Sequence, residues 1–171
     1  LRRLIFDYKN PSNFNKFAQM EKLNYPIYNF RTKIINNKRY IFDEVRKDFF
    51  LLTDEEWVRQ HVIHSLIYRG ISKTRIVIEK QFKLNGNIKK RFDIMITGKK
   101  ASIILLVECK SPKVKINQSV FDQIAIYQSK INSKYLLITN GNQSFYFKKD
   151  DKKKSYDFIN DFSFKNLKIW N

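Results

Sequence analysis

The sequence predicts an α/β fold built on a mixed sheet, with core elements in the order α-β-β-β-α-β. Two segments carry apolar residues at the three- and four-residue steps of a helix, and three apolar runs of strand length lie between them. Asn-Gly-Asn sequences at Gly86 and Gly141 separate apolar runs, as expected for strands joined by tight turns. A β-hairpin is expected before this core, and a hairpin with a tail after it.

The length and composition indicate a single globular domain. The chain has 171 residues, of which 43% are hydrophobic and 15% aromatic, so it can bury a substantial core. Within this domain we expect an N-terminal extension with a packed β-hairpin over residues 1–50 and a core over residues 51–147. A basic turn and a C-terminal tail should follow over residues 148–171.

The charge of the chain favours a polyanionic partner. Lys and Arg number 34 against 16 Asp and Glu, which gives a formal net charge of +18 at pH 7. Nucleic acid is the first candidate and an anionic membrane surface the second. No apolar stretch approaches the roughly 20 residues that cross a bilayer, so no membrane span is expected. The single cysteine, Cys109, excludes a disulfide framework and predicts a reducing, cytoplasmic location.

The first elements are a hairpin and a helix. Residues 30–35 and 39–45 have strand character and are joined at Asn36-Asn37-Lys38, where a hairpin turn is expected. Thr53 and Glu56 fit a capping box, with Thr at the N-cap and Glu three positions later. Apolar residues then recur at helical spacing, which predicts a helix over residues 54–69 that ends before Gly70.

The remaining elements form the sheet and its crossover. Strands over residues 75–84, 89–97 and 101–110 predict an antiparallel meander. A second helix is predicted over residues 118–131, so a strand over residues 134–139 should return parallel to the third strand of the meander. Residues 145–148 and 155–158 are expected to form a trailing hairpin.

Two charges interrupt the end of the third predicted strand of the meander. Glu108 and Lys110 follow the apolar run that ends at Val107, and the two-residue period of a strand places their side chains on the same face. On the preceding strand, Asp93 also stands among apolar residues. If residues 99–102 form the loop between the two strands, Gly98 opposes Ile103 and Asp93 lies directly opposite Glu108, with Cβ atoms about 4.5–5.5 Å apart.

Two such carboxylates predict a metal site. Burying both in ionised form is costly unless a cation lies between them. Mg²⁺ prefers oxygen ligands, and Asp93, Glu108 and the backbone carbonyl of Cys109 would supply three while leaving room for water and a phosphate oxygen. Lys110 would face the same site and stabilise developing negative charge. The chemistry that this arrangement indicates is phosphodiester hydrolysis.

These residues resemble the PD-(D/E)XK nuclease superfamily, with Asp93 followed by Glu108-Cys-Lys110 at a strand end. Gln123 and Tyr127 resemble the QxxxY motif of its restriction-like and RecB-like branches. More closely, residues 25–147 resemble the N-terminal nuclease domain of type I restriction enzyme R subunits, in a small stand-alone form. The segments that carry this resemblance are Tyr25-Pro-Ile-Tyr-Asn-Phe-Arg, Ile41-Phe-Asp-Glu-Val-Arg-Lys, Leu52-Thr-Asp-Glu-Glu-Trp-Val-Arg-Gln-His, Val107-Glu-Cys-Lys-Ser-Pro and Phe121-Asp-Gln-Ile-Ala-Ile-Tyr.

The resemblance implies a restriction-endonuclease-like core and a metal-dependent DNA endonuclease acting in defence, restriction or DNA processing. It implies Asp93, Glu108 and Lys110 as the catalytic set, Mg²⁺ as cofactor with Mn²⁺ as a substitute, and DNA or active-site contacts from Gln123 and Tyr127. Two positions depart from the family pattern, because Phe92 replaces the proline of the superfamily name and Asp54 stands where proline is usual.

Families of this fold often place another glutamate on the first helix, and Glu56 is the candidate for this catalytic role. Its position in the capping box explains it equally well, and Glu55 competes for the same role. Glu79 either extends the acidic cluster or pairs with Lys80 or Arg91. His61 and His64 lack a third ligand and are read as ordinary helix residues.

Basic residues around the site predict a phosphate track. Arg91, Lys113 and Lys115 flank the predicted strands and loop and are the candidates for nucleic-acid binding, together with Gln123 and Tyr127. No Gly-x4-Gly-Lys-Ser/Thr sequence is present, so no ATP site is expected in this chain, and any ATPase, translocase or methyltransferase partner would be a separate protein. The alternative to an enzyme is a non-catalytic DNA-binding or partner-docking module that keeps the nuclease fold. The oligomeric state is not predicted.

Overall fold

The computed structural model describes residues 20–83, 89–122, 131–153, 155–160 and 162–165. Within these residues, strands form one three-stranded sheet and one six-stranded sheet, accompanied by one long helix. This arrangement confirms the α/β class. In the same part of the chain, no helix has the length and apolar character needed to span a bilayer.

The small sheet lies in the N-terminal extension. Its strands β1 (Thr32–Ile35), β2 (Lys38–Asp43) and β3 (Asp48–Leu51) are antiparallel neighbours in chain order. Asn36 and Asn37 make the predicted turn with φ of 48° and 59°, a left-handed conformation that asparagine tolerates well. The predicted hairpin is therefore confirmed, although both strands are shorter than expected and β3 is an addition.

Helix α1 spans Asp54–Tyr68 and begins and ends where its sequence signals predict. The Thr53 hydroxyl accepts the amide of Glu56 at 3.1 Å, which caps the first turn. At the other end, Gly70 has φ of 87°, its amide donates to the Ile67 carbonyl, and the Ile71 amide donates to the Leu66 carbonyl. These two bonds are the Schellman arrangement that a C-terminal glycine permits.

The large sheet has the order β4-β5-β6-β7-β8-β9, and only β6 and β7 run parallel to each other. Both the meander and the parallel return strand are thus confirmed. The segment between β6 and β7 is helical over residues 118–122, and the rest of the predicted second helix, with Gln123 and Tyr127, lies outside the described residues. The predicted Asn85-Gly86-Asn87 turn also lies outside them. The strands are β4 (Ile76–Lys83), β5 (Lys89–Thr97), β6 (Ile103–Cys109), β7 (Ser133–Thr139), β8 (Ser144–Asp150) and β9 (Ser155–Ile159).

The central strands are covered on both faces, which explains why β6 reads as an unbroken apolar run. On one face, Val58, Val62 and Leu66 of α1 pack against residues of β5 and β6 such as Ile94 and Leu105. The opposite face carries a second cluster: Phe92, Met95, Leu106, Ile116, Ile131, Leu136 and Ile138. Apolar burial on both sides holds the middle of the sheet rigid, so side chains at its strand ends have fixed positions.

The pairing of β5 with β6 sets the geometry of the candidate site. Ile94 pairs with Val107, Met95 with Leu106 and Ile96 with Leu105, as the predicted register requires. The predicted pairing of Gly98 with Ile103 is wrong, because an irregularity after Ile96 brings Thr97 opposite Ile103 instead. The extra residue is absorbed by a 3₁₀ turn over Lys99–Ala101, where Lys100 and Ala101 have positive φ.

The division of the chain into an extension over residues 1–50, a core over residues 51–147 and a tail over residues 148–171 stays a prediction. In the structure β8 runs across the second of these boundaries, and β9 extends the same sheet.

Candidate active site

Asp93 and Glu108 come together because the β5–β6 ladder ends one position before them. The last regular pair is Ile94 with Val107, so the next residues on the two strands are Asp93 and Glu108. The Asp93 carboxylate then accepts the backbone amide of Cys109 on its Oδ2 atom at 2.6 Å. Asp93 is thereby fixed against the backbone that joins Glu108 to Lys110.

Glu108 and Lys110 project on the same side of the strand and contact each other. Lys110 Nζ donates to Glu108 Oε1 at 2.9 Å. The Glu108 side chain is 7% exposed and that of Lys110 is 26% exposed, so the pair lies at the edge of the core with the ammonium open to solvent. Burial opposes the charge on Lys110, but the hydrogen bond and negative charge of Glu108 outweigh it and raise the pKa of the amine. Lys110 is therefore an ammonium at neutral pH, a donor rather than a base.

Helix α1 contributes an arginine that the sequence reasoning missed. Arg59 Nη2 donates to Asp93 Oδ1 at 2.6 Å, and its Nη1 atom pairs with Glu56. The side chain is buried, and the negative charges of Asp93 and Glu56 outweigh its desolvation and raise its pKa. One sequence signal was available, because Arg59 stands within the apolar stripe of α1, next to Val58 and one turn before Val62.

Glu56 lies on the far side of Arg59 from Asp93. Its carboxylate is bound by Arg46 and Arg59 and accepts Gln60 Nε2 at 2.9 Å. Arg46 continues this ion network to Asp43, where its Nε donates at 2.7 Å, so the network ties the small sheet to α1. Arg59 therefore connects the side chain of Glu56 to Asp93.

Glu55, on the first turn of α1, interacts electrostatically with Asp93 and Glu108. Burial raises its pKa, Asp93 and Glu108 raise it further, and Lys110 and Arg59 act in the opposite direction. Such mutual repulsion arises when carboxylates share one small region. Glu55, exposed at the start of α1, is thus near enough to feel the charges of Asp93, Glu108 and Lys110.

Glu79 occupies the position on β4 directly across from Asp93. The ladder pairs Ile78 with Ile94 and Lys80 with Phe92, and Glu79 stands between these pairs with φ of 54°. A left-handed glutamate inside a strand is a strained conformation that surrounding contacts must hold. Those contacts are ion pairs to Arg46 at 3.2 Å, to Arg91 at 3.3 Å and to Arg59 at 3.7 Å, so of the predicted partners Arg91 is confirmed.

The other predicted nucleic-acid contacts are spread around this cluster. Arg91 is bound to Glu79, and Lys113 Nζ donates to Asp54 at 2.7 Å, beside the start of α1. Lys115 is exposed in the loop that follows β6. Arg91 thus lies on β5 beside Glu79 and Lys113 at the start of α1, whereas Gln123 and Tyr127 fall outside the described residues.

Thiol chemistry is not supported at this site. The Cys109 side chain is buried on the face opposite Glu108, and burial raises the pKa of its thiol well above the usual value. A protonated, enclosed thiol is a poor nucleophile. The chemistry of the site therefore rests on oxygen and nitrogen groups.

The donor set suits a hard cation. Among the described residues, no group of three or more His, Cys, Asp and Glu side chains is arranged as a metal cluster. Asp93 and Glu108 nevertheless supply two adjacent carboxylates, and the backbone carbonyl of Cys109 lies between Glu108 and Lys110. Oxygen ligands of this kind fit Mg²⁺ or Mn²⁺ and do not suit a thiolate-seeking metal.

The fold and the cluster define an α/β protein in which the carboxylates of Asp93 and Glu108 meet a lysine beside the end of a central strand. The family model described as type I restriction enzyme R protein N terminus (HSDR_N) matches residues 54–162. The chain belongs to this family, which confirms the family that the sequence motifs indicated. Comparison of the sequence with curated proteins found no match.

Proposed function

We propose that this chain is a Mg²⁺-dependent DNA endonuclease domain with a PD-(D/E)XK core, serving restriction or DNA processing. The observation that carries the proposal is the contact between Glu108 and Lys110 immediately beside Asp93. Family membership supports it, because the matching family is that of restriction enzyme R protein N termini. We also place the domain in the cytoplasm, where its DNA substrate is found.

Asp93, Glu108 and the Cys109 carbonyl are the groups that would hold the metal, with Mn²⁺ as a substitute for Mg²⁺. When bound, the ion neutralises phosphate charge and lowers the pKa of a coordinated water. The protein's own contribution is positional. The Cys109 amide and Arg59 each hold one oxygen of Asp93, which fixes the plane of its carboxylate.

Lys110 supplies a partly exposed positive charge at the site. It is partly exposed, it keeps its proton at neutral pH, and its ammonium lies within reach of a phosphate beside Glu108. A positioned ammonium stabilises negative charge that develops on the phosphate in the transition state. We assign this role to Lys110 and assign to Glu56 the role of holding Arg59. Glu55 is the helix carboxylate whose charge we expect to act on Asp93, Glu108 and Lys110.

DNA would approach along the basic side chains that flank the cluster. The proposed contacts are Arg91, Lys113, Lys115, Gln123 and Tyr127. Arg91 and Lys113 each already pair with a carboxylate, so phosphates would compete with Glu79 and Asp54 for them. Any ATPase, translocase or methyltransferase that acts with the domain would be a separate partner.

One observation favours a second candidate, a DNA-binding or docking module without turnover. Asp93 is already neutralised by Arg59, and Glu108 by Lys110, so both carboxylates have cationic partners inside the chain. A module of this kind needs no metal ion to hold the cluster together.

Metal binding separates the two candidates. Mn²⁺ is titrated by calorimetry into wild type and Asp93→Asn, and supercoiled-plasmid nicking is measured for wild type and Lys110→Ala. A nuclease binds Mn²⁺ in wild type only and loses nicking in Lys110→Ala. Salt-sensitive DNA binding with neither Mn²⁺ binding nor nicking would identify the docking module instead. Lys152→Ala, a charge removal in the exposed β8–β9 turn, is the matched control.

A further inference from the structure

The outer face of the small sheet carries a regular pattern of cations and aromatic rings. The Phe42 amide donates to the carbonyl of Arg31, the residue just before β1, and Phe42 pairs with Phe49 on β3. The three residues therefore form one row across the sheet. Two residues along, Lys33 and Tyr40 pair in a second row on the same face. On the other face, Ile41 and Asp43 of the middle strand β2 are buried.

The cations of this outer face lie on the rings. The Arg31 guanidinium carbon is 3.6 Å from the centroid of the Phe42 ring, and Lys33 Nζ is 4.0 Å from that of Phe49. The two rings meet edge to face with centroids 5.1 Å apart. The Arg31 side chain is 61% exposed, so its planar group covers a ring and remains open to solvent. Such a stack can accept a further flat, electron-rich group.

The charge of the outer face is positive. Besides Arg31 and Lys33, it presents Lys38, which pairs with Ile35 at the hairpin end. Of the acidic residues of β2 and β3, Asp43 is buried on the opposite face, and Asp48, which pairs with Asp43, is exposed on that same opposite face. Glu44, in the turn after β2, pairs with Arg31 at 3.0 Å at the margin and is also held by Lys73.

We propose that this outer face, formed by Arg31, Lys33, Lys38, Tyr40, Phe42 and Phe49, binds a single strand of nucleic acid. Rings and a stacked guanidinium interleaved with ammonium groups suit unpaired bases and their phosphates together. A duplex keeps its bases stacked internally and offers only phosphates to such a surface. The site is separate from Asp93 and Glu108 and does not depend on catalysis.

The test is fluorescence anisotropy with a 15-nucleotide oligothymidylate in EDTA, using the Lys110→Ala protein so that cleavage plays no part. Phe42→Leu with Phe49→Leu should weaken binding about tenfold, since a base–aromatic stack contributes on this scale. Binding of inorganic polyphosphate, which has no bases, should be unchanged. Phe158→Leu, an exposed ring on β9, is the matched control and should bind the oligonucleotide as the parent protein does.

Three outcomes would overturn the proposal: unchanged oligonucleotide binding by the aromatic variant, equal losses for oligonucleotide and polyphosphate, or a duplex that competes as well as the single strand. Circular dichroism checks that the aromatic variant folds. If it does not, Arg31→Ala with Lys33→Ala carries the test. This variant should lower the salt dependence of oligonucleotide binding by about one unit of log–log slope relative to Lys152→Ala, and an unchanged slope would overturn the proposal.

Discussion

Arg59 on α1 donates a 2.6 Å hydrogen bond to Oδ1 of Asp93 on β5, while Oδ2 of the same carboxylate accepts the Cys109 amide. The first helix therefore reaches the candidate site through a largely enclosed ion pair. The same guanidinium is held by Glu56, which Arg46 connects to Asp43 at the end of β2. The N-terminal sheet, the helix and the site form one electrostatic unit.

Removing Arg59 should destabilise the fold strongly. Arg59→Ala leaves the buried Glu56 and the partly buried Asp93 without their shared cation, so the free energy of unfolding should fall by about 3 kcal/mol. Urea denaturation measures this loss. Arg91→Ala, which breaks a more exposed pair with Glu79, should cost about 1 kcal/mol or less. Equal losses for the two variants would show that the Arg59 pairs are not specially stabilising.

Glu55 and Glu56 should separate into chemical and structural roles. Glu55→Gln removes a charge that Asp93, Glu108 and Lys110 sense, so nicking should fall at least tenfold with little change in unfolding free energy. Glu56→Gln removes the carboxylate that binds Arg46 and Arg59, and the unfolding free energy should fall by about 2–3 kcal/mol. Nicking assays and urea denaturation are run on both variants. The opposite pattern would return the catalytic assignment to Glu56.

The N-terminal cap of α1 should be worth a measurable part of the stability. Thr53→Ala removes the hydroxyl that accepts the Glu56 amide, and we expect a loss of about 1 kcal/mol in unfolding free energy. Thr53→Ser keeps the hydroxyl and should be nearly neutral. A matching loss in the serine variant would mean that the methyl group, not the cap, matters.

Stability should fall as the pH is lowered from 7 to 5 because of His61. Burial lowers the pKa of this imidazole to about 4, from 6.5 in the unfolded chain, although its bond with the Trp57 carbonyl opposes the shift. Between these values the unfolded chain binds the extra proton, so folding weakens as pH falls, by on the order of 1–2 kcal/mol at pH 5. Urea denaturation at both pH values measures it.

The control for this pH dependence is on the same helix. His61→Leu should remove most of the slope between pH 7 and pH 5, whereas His64→Gln keeps the His61 titration and should retain it. A slope that survives in His61→Leu would assign the effect to other groups. Glu44, whose pKa is lowered to about 2 by its bond with Lys73, weakens folding only at more acidic pH, below its ordinary value of 4.5.

Patterns local to one or two strands were predictable from the sequence. The β5–β6 register follows from the alternation of apolar residues and a loop of bounded length, and it placed Asp93 beside Glu108. The predicted register was wrong only next to the loop. There a 3₁₀ turn with positive φ at Lys100 makes the loop one residue longer than predicted. Strand β3 was missed because its four residues, two of them phenylalanine, have no alternating pattern.

The ion network around Arg46 and Arg59 could not be predicted from the sequence, for a different reason. Arg46 joins Asp43, Glu56 and Glu79, which belong to three elements, and the farthest of them, Glu79, lies 33 positions from Arg46 in the chain. Long flexible side chains can reach many partners, and only the packed backbone selects among them. For the same reason the sequence offered Glu56 as either a capping residue or a catalytic one, and its side chain instead binds two arginines.

The enclosed Cys109 thiol gives the strand that carries Glu108 a natural reporter of opening. Because it is the single cysteine of the sequence, a thiol-reactive dye can modify the chain only when this part of β6 separates from its neighbours. The labelling rate, compared with that of the unfolded chain, yields the free energy of that opening without an engineered probe. Slower labelling in the presence of Mn²⁺ or of an oligonucleotide would show which of these ligands stabilises β6 against this opening.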